Sequence, residues 1–130
     1  MATSSRSGST CEVGIVAAGS SMSWLVRDGD VLATAEVAST AKARRKGLLG
    51  RDDIDGALVI RPCRNVHTAG MRFAIDVAFC DAGGRVLHTT TLAPWRISRI
   101  VAHAAFAVEA RAGSFDRWAL RPGDHLELRA

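Results

Sequence analysis

The alternation of apolar and polar residues is clearest in the middle of the chain, where it predicts two buried strands around a polar turn. Residues 57–60 form a continuous apolar run, and from Phe73 to Cys80 apolar residues fall at every second position. Both patterns are typical of strands packed in a core. Asp76 lies on the face of the second strand that carries small residues, so we expect its carboxylate to reach solvent or to meet an Arg or His side chain.

The same patterns predict strands along most of the chain. Asp28-Gly29 separates two apolar stretches and is typical of a two-residue hairpin turn, because both positions tolerate positive φ. The other predicted strands lie at 24–26, 31–37, 85–92, 98–102, 105–110 and 125–129. About seven short strands joined by tight turns predict an α+β, mostly β domain, as a small antiparallel barrel or sandwich.

Two helical segments accompany these strands. The main helix is predicted from Ala41 to Leu49, with Ser39 or Thr40 as the N-terminal cap and Gly50 as the C-terminal cap. A short helical turn is predicted from 114 to 118.

The N-terminal residues 1–21 differ in composition from the rest of the chain. They are rich in Ser, Gly, Thr and Ala and lack sustained periodicity, so we interpret them as a disordered lead, with Met22 as an alternative translation start. The remaining residues, 22–130, have the length of a single β-rich domain.

Composition and charge restrict the classes of partner. Apolar residues make up 48% of the chain and Tyr is absent, so the core has to be built from Ala, Val, Leu and Ile. The net charge of +4 would suit nucleic acid, yet the basic residues are spread along the chain apart from a cluster at 42–51. A solvated helix face explains that cluster. We therefore expect a monomer that does not bind nucleic acid.

The cysteines and the N-terminus indicate a cytoplasmic protein. Cys11, Cys63 and Cys80 form no CxxC pair, and their odd number leaves at least one unpaired. A reducing compartment fits this pattern best. Gly14, Gly19 and Ser20 interrupt the N-terminal apolar run, and no segment reaches membrane-spanning length. We expect no membrane insertion, no disulfide, no bound metal and no cofactor.

Three kinds of chemistry compete for the polar residues. Cys63 and His67 are four positions apart, which leaves open a zinc site or a nucleophile with its base. Asp76 and Glu109, both on otherwise apolar strands, could act as paired carboxylates. A buried thiol, a hydrogen-bonded His and carboxylates paired with Arg are the structural alternatives. The sequence contains no P-loop, GxGxxG or HExxH motif.

An ordered set of motifs resembles the domain of unknown function family 192. The resemblance extends from about Trp24 to Leu128 and is carried by segments 45–51, 56–58, 67–79, 108–113 and 120–124. It implies a small β-rich, barrel-like domain with one helix, found across bacteria and archaea, without an established activity. The segment from Met71 to Asp76 differs from the common family pattern in lacking its Asn and Pro.

Two functional hypotheses follow. The first is a non-enzymatic module that binds a small anionic ligand or an acidic peptide segment, and its candidate ligand-binding residues are Arg45, His67, Met71, Arg72, Asp76 and Trp95. We expect Asp76 to pair with Arg45, or failing that with Arg72, beside His67 at the floor of the pocket. The alternative is a small hydrolase-like enzyme that uses Asp76 or Cys63 with His67.

Overall fold

The computed structural model describes residues 20–130, so most of the predicted disordered lead lies outside the described residues. Within this range the chain forms seven strands and two short helices. In chain order they are β1 (Ser20–Arg27), β2 (Asp30–Ala38), α1 (Ala41–Lys46), β3 (Ala57–Ile60), β4 (Ile75–Cys80), β5 (Val86–Leu92), β6 (Phe106–Arg111), α2 (Ser114–Trp118) and β7 (Glu127–Arg129). The mostly β, α+β class predicted from the sequence is confirmed.

All seven strands belong to one sheet, in the order β5-β4-β6-β3-β2-β1-β7. Neighbouring strands are antiparallel except β2 and β3, which are parallel. The parallel pair requires a crossover connection, and α1 with the loop after it supplies that connection. β6 lies between β3 and β4, so the two central strands predicted from the sequence are not direct partners.

The sheet does not close into a barrel, but its two edges approach each other at one end. Arg85, just before β5, forms an isolated bridge with His125, just before β7. The Leu126 N–H donates to the Gly84 carbonyl oxygen at 2.8 Å. Gly84 has φ +93°, and a Cβ there would lie 2.1 Å from the Leu126 oxygen, so this approach requires glycine.

Apolar residues cover both faces of the sheet. On one face, which we call the α1 face, β3, β4 and β6 pack against Leu48, Ile54, Val66 and Met71 from α1 and the long loops. On the other, the α2 face, the sheet packs against Phe115 and Leu120. Alternate residues of the central strands β3, β4 and β6 therefore face separate apolar layers.

The predicted hairpin and the predicted cap of the main helix are both present. Asp28 and Gly29 have φ of 53° and 84° and connect β1 to β2. β1 begins at Ser20, two residues before the predicted domain boundary. The Ala43 N–H donates to Thr40 Oγ1 at 3.1 Å, which makes Thr40 the N-terminal cap of α1.

Two predicted elements differ from the structure. α1 ends at Lys46, and its C-terminal cap is Gly47 rather than Gly50. The predicted strand at 98–102 is a loop, because its buried residues, Ser98, Val101 and Ala104, recur every three positions rather than every two. No helix in residues 20–130 is long and apolar enough to cross a membrane.

Candidate functional site

A pocket of about 400 Å³ opens on the α1 face. Residues 44–49, from α1 and the turn after it, form one wall, and residues 62–67 form the opposite wall. Ile60 at the end of β3 and Glu109 on β6 contribute from the sheet beneath. The crossover between β2 and β3 and the loop after β3 thus create a concave site above the middle of the sheet.

The wall formed by residues 62–67 is held by the loop that was predicted to be a strand. The Val66 N–H donates to Ser98 Oγ at 2.9 Å, and the Ser98 N–H donates to the Val66 oxygen at 2.8 Å. Thr68, which is fully buried, donates its hydroxyl proton to the Ala93 oxygen at 2.6 Å. These bonds fix the backbone of the wall that carries the polar residues lining the pocket.

Four cationic side chains line the pocket, three from α1 (Arg44, Arg45 and Lys46) and one from the opposite wall (Arg64). Arg44 donates to two backbone carbonyl oxygens, at 2.8 and 3.4 Å. The ion pairs within residues 20–130 all involve other arginines, so none of these four cations is paired with a carboxylate of the described chain. The site therefore carries a local excess of positive charge.

Glu109 is the one acidic side chain among the residues that line this pocket. It is 3% exposed, and its strand neighbours in register are Leu58 on β3 and Val77 on β4. No residue in the described range donates a hydrogen bond to its carboxylate. Burial between apolar neighbours raises the pKa of Glu109 to about 7, because the charged form loses its hydration.

Cys63 lies in the wall of the pocket and keeps its proton at neutral pH. Its thiol donates to the Asn65 oxygen at 3.1 Å. Burial, and secondarily the nearby carboxylate of Glu109, raise the pKa of Cys63 to about 11. A nucleophilic cysteine needs a lowered pKa, so this environment does not favour the predicted role of Cys63 as a nucleophile.

Three of the six predicted ligand-binding residues line the pocket. They are Arg45 and His67, which are exposed, and Met71, which is 7% exposed. Met71 packs in the apolar layer of the α1 face, so it supports the pocket from below. The functional roles of these three residues remain predictions.

Asp76 faces away from the pocket, and its predicted pairing with Arg45 or Arg72 is wrong. One carboxylate oxygen accepts from Thr91 Oγ1 at 2.7 Å, and the other accepts from the backbone N–H groups of Gly113 and Phe115 at 2.9 and 3.0 Å. Its face of β4 points toward α2, so its donors come from β5 and from the start of that helix. Asp76 is therefore a structural carboxylate that anchors α2.

Arg72 and Trp95 also lie outside the residues that line this pocket. Arg72 donates to Asp52 at 2.7 Å, and both side chains are exposed. Trp95 is 69% exposed and has φ 63° in the loop after β5. Arg72 therefore supplies no donor to this pocket, and Trp95 does not form an aromatic wall in it.

The alternative chemistries find little geometric support. Asp76 and Glu109 project to opposite faces of the sheet, so they do not form a carboxylate pair. Across residues 20–130, no three His, Cys, Asp or Glu side chains come together in a set that could ligate a metal. The pocket thus offers cations, one buried carboxyl and one protonated thiol.

A family comparison decides which class of protein this is. The model of family DUF192, described as "Uncharacterized ACR, COG1430", matches residues 24–128. The chain belongs to DUF192. The resemblance read from the sequence motifs is thereby confirmed.

Known relatives of this DUF192 chain support the fold. Over 63 residues the chain is 36% identical to UPF0127 protein PF1050 of Pyrococcus furiosus, covering 48% of this chain and 54% of that protein. The chain therefore spans about half the length of this curated relative. A crystal structure of a protein of unknown function from Novosphingobium aromaticivorans DSM 12444 has a TM-score of 0.69 at 17% identity and covers 82% of this chain and 83% of that one.

A second solved structure shows the same fold. It is a Sinorhizobium meliloti 1021 protein, provisionally named a transcription regulator, with a TM-score of 0.68 at 24% identity. The match covers 84% of this chain and 93% of that one. At these identities the likeness concerns the fold.

The segments that resemble DUF192 in sequence surround the pocket. Segment 45–51 begins in one wall, segment 67–79 begins at the other, and segment 108–113 supplies Glu109 from below. Sequence reasoning noted Glu109 only as a possible partner of Asp76. Along β6, Glu109 alternates with Val108 and Ala110, and this alternation was the signal that Glu109 faces the α1 side of the sheet. The position of β6 beneath the pocket could not be predicted in this way, because it depends on long-range strand pairing.

Proposed function

We propose that this domain is a non-enzymatic binding module whose pocket takes a small ligand that carries an anionic group. The observation that supports the proposal is the set of four cationic side chains around the pocket, none of which has a carboxylate partner in the described chain. Cations that line a concave site and have no ion-pair partner attract an anion from solution.

The dimensions of the site favour a small molecule over an acidic peptide segment. A volume of about 400 Å³ lies in the range of small-molecule pockets. The apolar side chains of Leu48, Leu49 and Ile60 also line it, which gives the body of a ligand something to pack against. A peptide would instead require an extended groove or an accessible strand edge.

The enzymatic alternative has weaker support. Both oxygens of Asp76 accept hydrogen bonds from the fold, and the raised pKa of Cys63 keeps its thiol protonated at neutral pH. A hydrolase would therefore lack an activated nucleophile at this pocket.

We further propose that the module acts as a cytoplasmic monomer that does not bind nucleic acid. The distribution of charge supports the last part of this proposal, the absence of nucleic-acid binding. Five arginines outside the pocket, Arg27, Arg51, Arg72, Arg111 and Arg129, pair with nearby carboxylates, which reduces the net positive charge available to a phosphate backbone.

A matched pair of lysine variants tests the proposed function. Lys46 lines the pocket, whereas Lys42, on the same helix, is exposed and does not. A panel of small carboxylates, phosphates and zwitterionic metabolites would be screened by thermal shift, because a ligand at a hundred times its dissociation constant adds about 2.7 kcal/mol of stability. Lys46→Gln should weaken binding of the ligand found, and Lys42→Gln should leave it unchanged.

Salt dependence completes the test. Affinity should fall as NaCl is raised, because screening weakens attraction between the exposed cations and the anionic group. Equal losses in the two lysine variants, or the absence of any anionic binder in the panel, would refute the proposed function.

A further inference from the structure

Glu109 is the feature of the pocket that an anion alone does not explain. It is almost fully buried, it lines the same pocket as the four cations, and no donor within residues 20–130 satisfies its carboxylate. Asp76, on the neighbouring strand and only 4% exposed, receives three hydrogen bonds from the fold. The fold thus provides donors for one buried carboxylate and leaves the other directed at a cavity.

A buried carboxylate without a donor is unfavourable unless it is protonated or meets a group that enters the site. The strand neighbours Leu58 and Val77 are apolar and offer no donor. The open side of Glu109 is the pocket itself. A ligand group that donates hydrogen bonds, and above all one that carries positive charge, would satisfy the Glu109 carboxylate.

We propose that the ligand is a small zwitterion, whose ammonium group sits on Glu109 while its anionic group is held by the cationic side chains at the mouth of the pocket. This inference rests on the proposed function, because it uses the same pocket and the same anion-binding residues. It narrows the ligand class to molecules such as amino acids or an aminoalkyl phosphate.

The placement of the charges fits this orientation. Arg45, Lys46 and Arg64 are exposed, whereas Glu109 is buried in the sheet beneath them. A ligand would therefore meet positive charge at the entrance and negative charge at depth. A simple anion could use the entrance but would leave Glu109 unsatisfied.

Protonation of Glu109 gives a measurable signature. The ionisable groups that face it are Cys63, His67 and the four cations, and burial sets its pKa at about 7 in the free protein. An ammonium group would lower that pKa and displace the proton. Binding at pH 7 should then release about half a proton per ligand from Glu109, and affinity should rise between pH 6 and pH 8.

The experiment uses the full chain and isothermal titration calorimetry with a defined panel: the standard L-α-amino acids, 4-aminobutyrate and phosphoethanolamine. The tightest binder is compared with its N-acetyl derivative, which keeps the anion and removes the ammonium group. The zwitterion should bind at least about tenfold more tightly than the N-acetyl form. Glu109→Gln should remove this difference in affinity between the two forms.

Two outcomes separate this inference from the proposed function. If the N-acetyl anion binds as tightly as the zwitterion, and titrations in bis-Tris and Tris buffers show no proton release by the wild-type protein, the role of Glu109 is refuted while the anion site stands. If no zwitterion of the panel binds, but other small carboxylates or phosphates do, the zwitterion is likewise refuted. Proton release is measured on the wild-type protein, so this test can be carried out even if Glu109→Gln fails to fold.

Discussion

Asp76 and Glu109 lie on neighbouring strands, one residue apart in register, and point to opposite faces of the same sheet. Their exposures are nearly the same, at 4% and 3%. The fold surrounds the first with donors and leaves the second facing a pocket. Although the two carboxylates are almost equally buried, Asp76 stabilises the fold through hydrogen bonds, whereas Glu109 has no donor and faces the pocket. Each therefore gives a separate prediction.

Removal of the Asp76 carboxylate should destabilise the fold. Asp76→Ala leaves the backbone N–H groups of Gly113 and Phe115 without their acceptor, so we expect the free energy of unfolding to fall by about 3 kcal/mol in urea denaturation. Thr91→Val removes only one hydrogen bond and should lower it by about 1 kcal/mol. Because Arg45 does not contact Asp76, adding Arg45→Met to Asp76→Ala should give additive effects. If Arg45→Met restored the stability lost in Asp76→Ala, that result would contradict the structure.

Glu109 should make stability depend on pH. Its pKa is about 7 in the folded protein and near the ordinary value of 4.5 in the unfolded chain, so between these values the folded state binds more protons. Stability should therefore decrease as pH rises from about 4.5 and level off above about 7, with a total contribution on the order of 3 kcal/mol. Urea denaturation of the wild type and of Glu109→Gln over this range measures the difference. Parallel curves for the two proteins would show that Glu109 is not the titrating group.

Gly84 should tolerate no side chain. A Cβ at this position would lie 2.1 Å from the Leu126 oxygen, and φ is +93°, so Gly84→Ala must separate the two edges of the sheet. We expect a loss of about 3 kcal/mol or more in thermal or urea unfolding. Gly83→Ala is the control, because its Cβ would make only an ordinary contact, 3.5 Å from Asp81. Equal losses of stability in the two variants would refute the steric constraint at Gly84.

Glu109 should also govern the reactivity of Cys63. Burial is the first cause of the raised Cys63 pKa and the Glu109 charge is the second, so Glu109→Gln should lower that pKa and speed alkylation by iodoacetamide. Peptide mass spectrometry at pH 8.5 would follow Cys63 separately from Cys80, which is fully buried and has its pKa raised to about 12. Cys80 serves as the internal control and should stay unmodified. Unchanged Cys63 rates in the variant would show that the two groups do not interact.

The sequence predicted features that depend on neighbouring residues. Asp28-Gly29 specified its hairpin and Thr40 its cap, because turn and cap preferences act over a few positions. The short helix at 114–118 was also predicted, but it follows Gly113 in the left-handed region and has no side-chain cap. The loop at 98–102 was mistaken for a strand because apolar residues alone do not reveal a period of three. Its partner, the wall at 62–67, lies about thirty residues away, as the bond between Ser98 and Val66 shows.

The candidate site was predicted in part for the same reason. Arg45 and His67 belong to segments that close over the same pocket, and their residue types indicated anion binding. The donors of Asp76 come from 15 to 39 positions away, and Glu109 reaches the pocket only because β6 inserts between β3 and β4. Strand order of this kind depends on the packing of the whole sheet, which a local pattern does not encode.

The pairing of β7 with β1 has a practical consequence for how this domain can be joined to others. Arg129 lies opposite Trp24, so the last strand ends beside the first. No residue of either strand lines the pocket. The domain could therefore be grafted into a surface loop of a host protein through short linkers at the start of β1 and the end of β7, with its pocket left open.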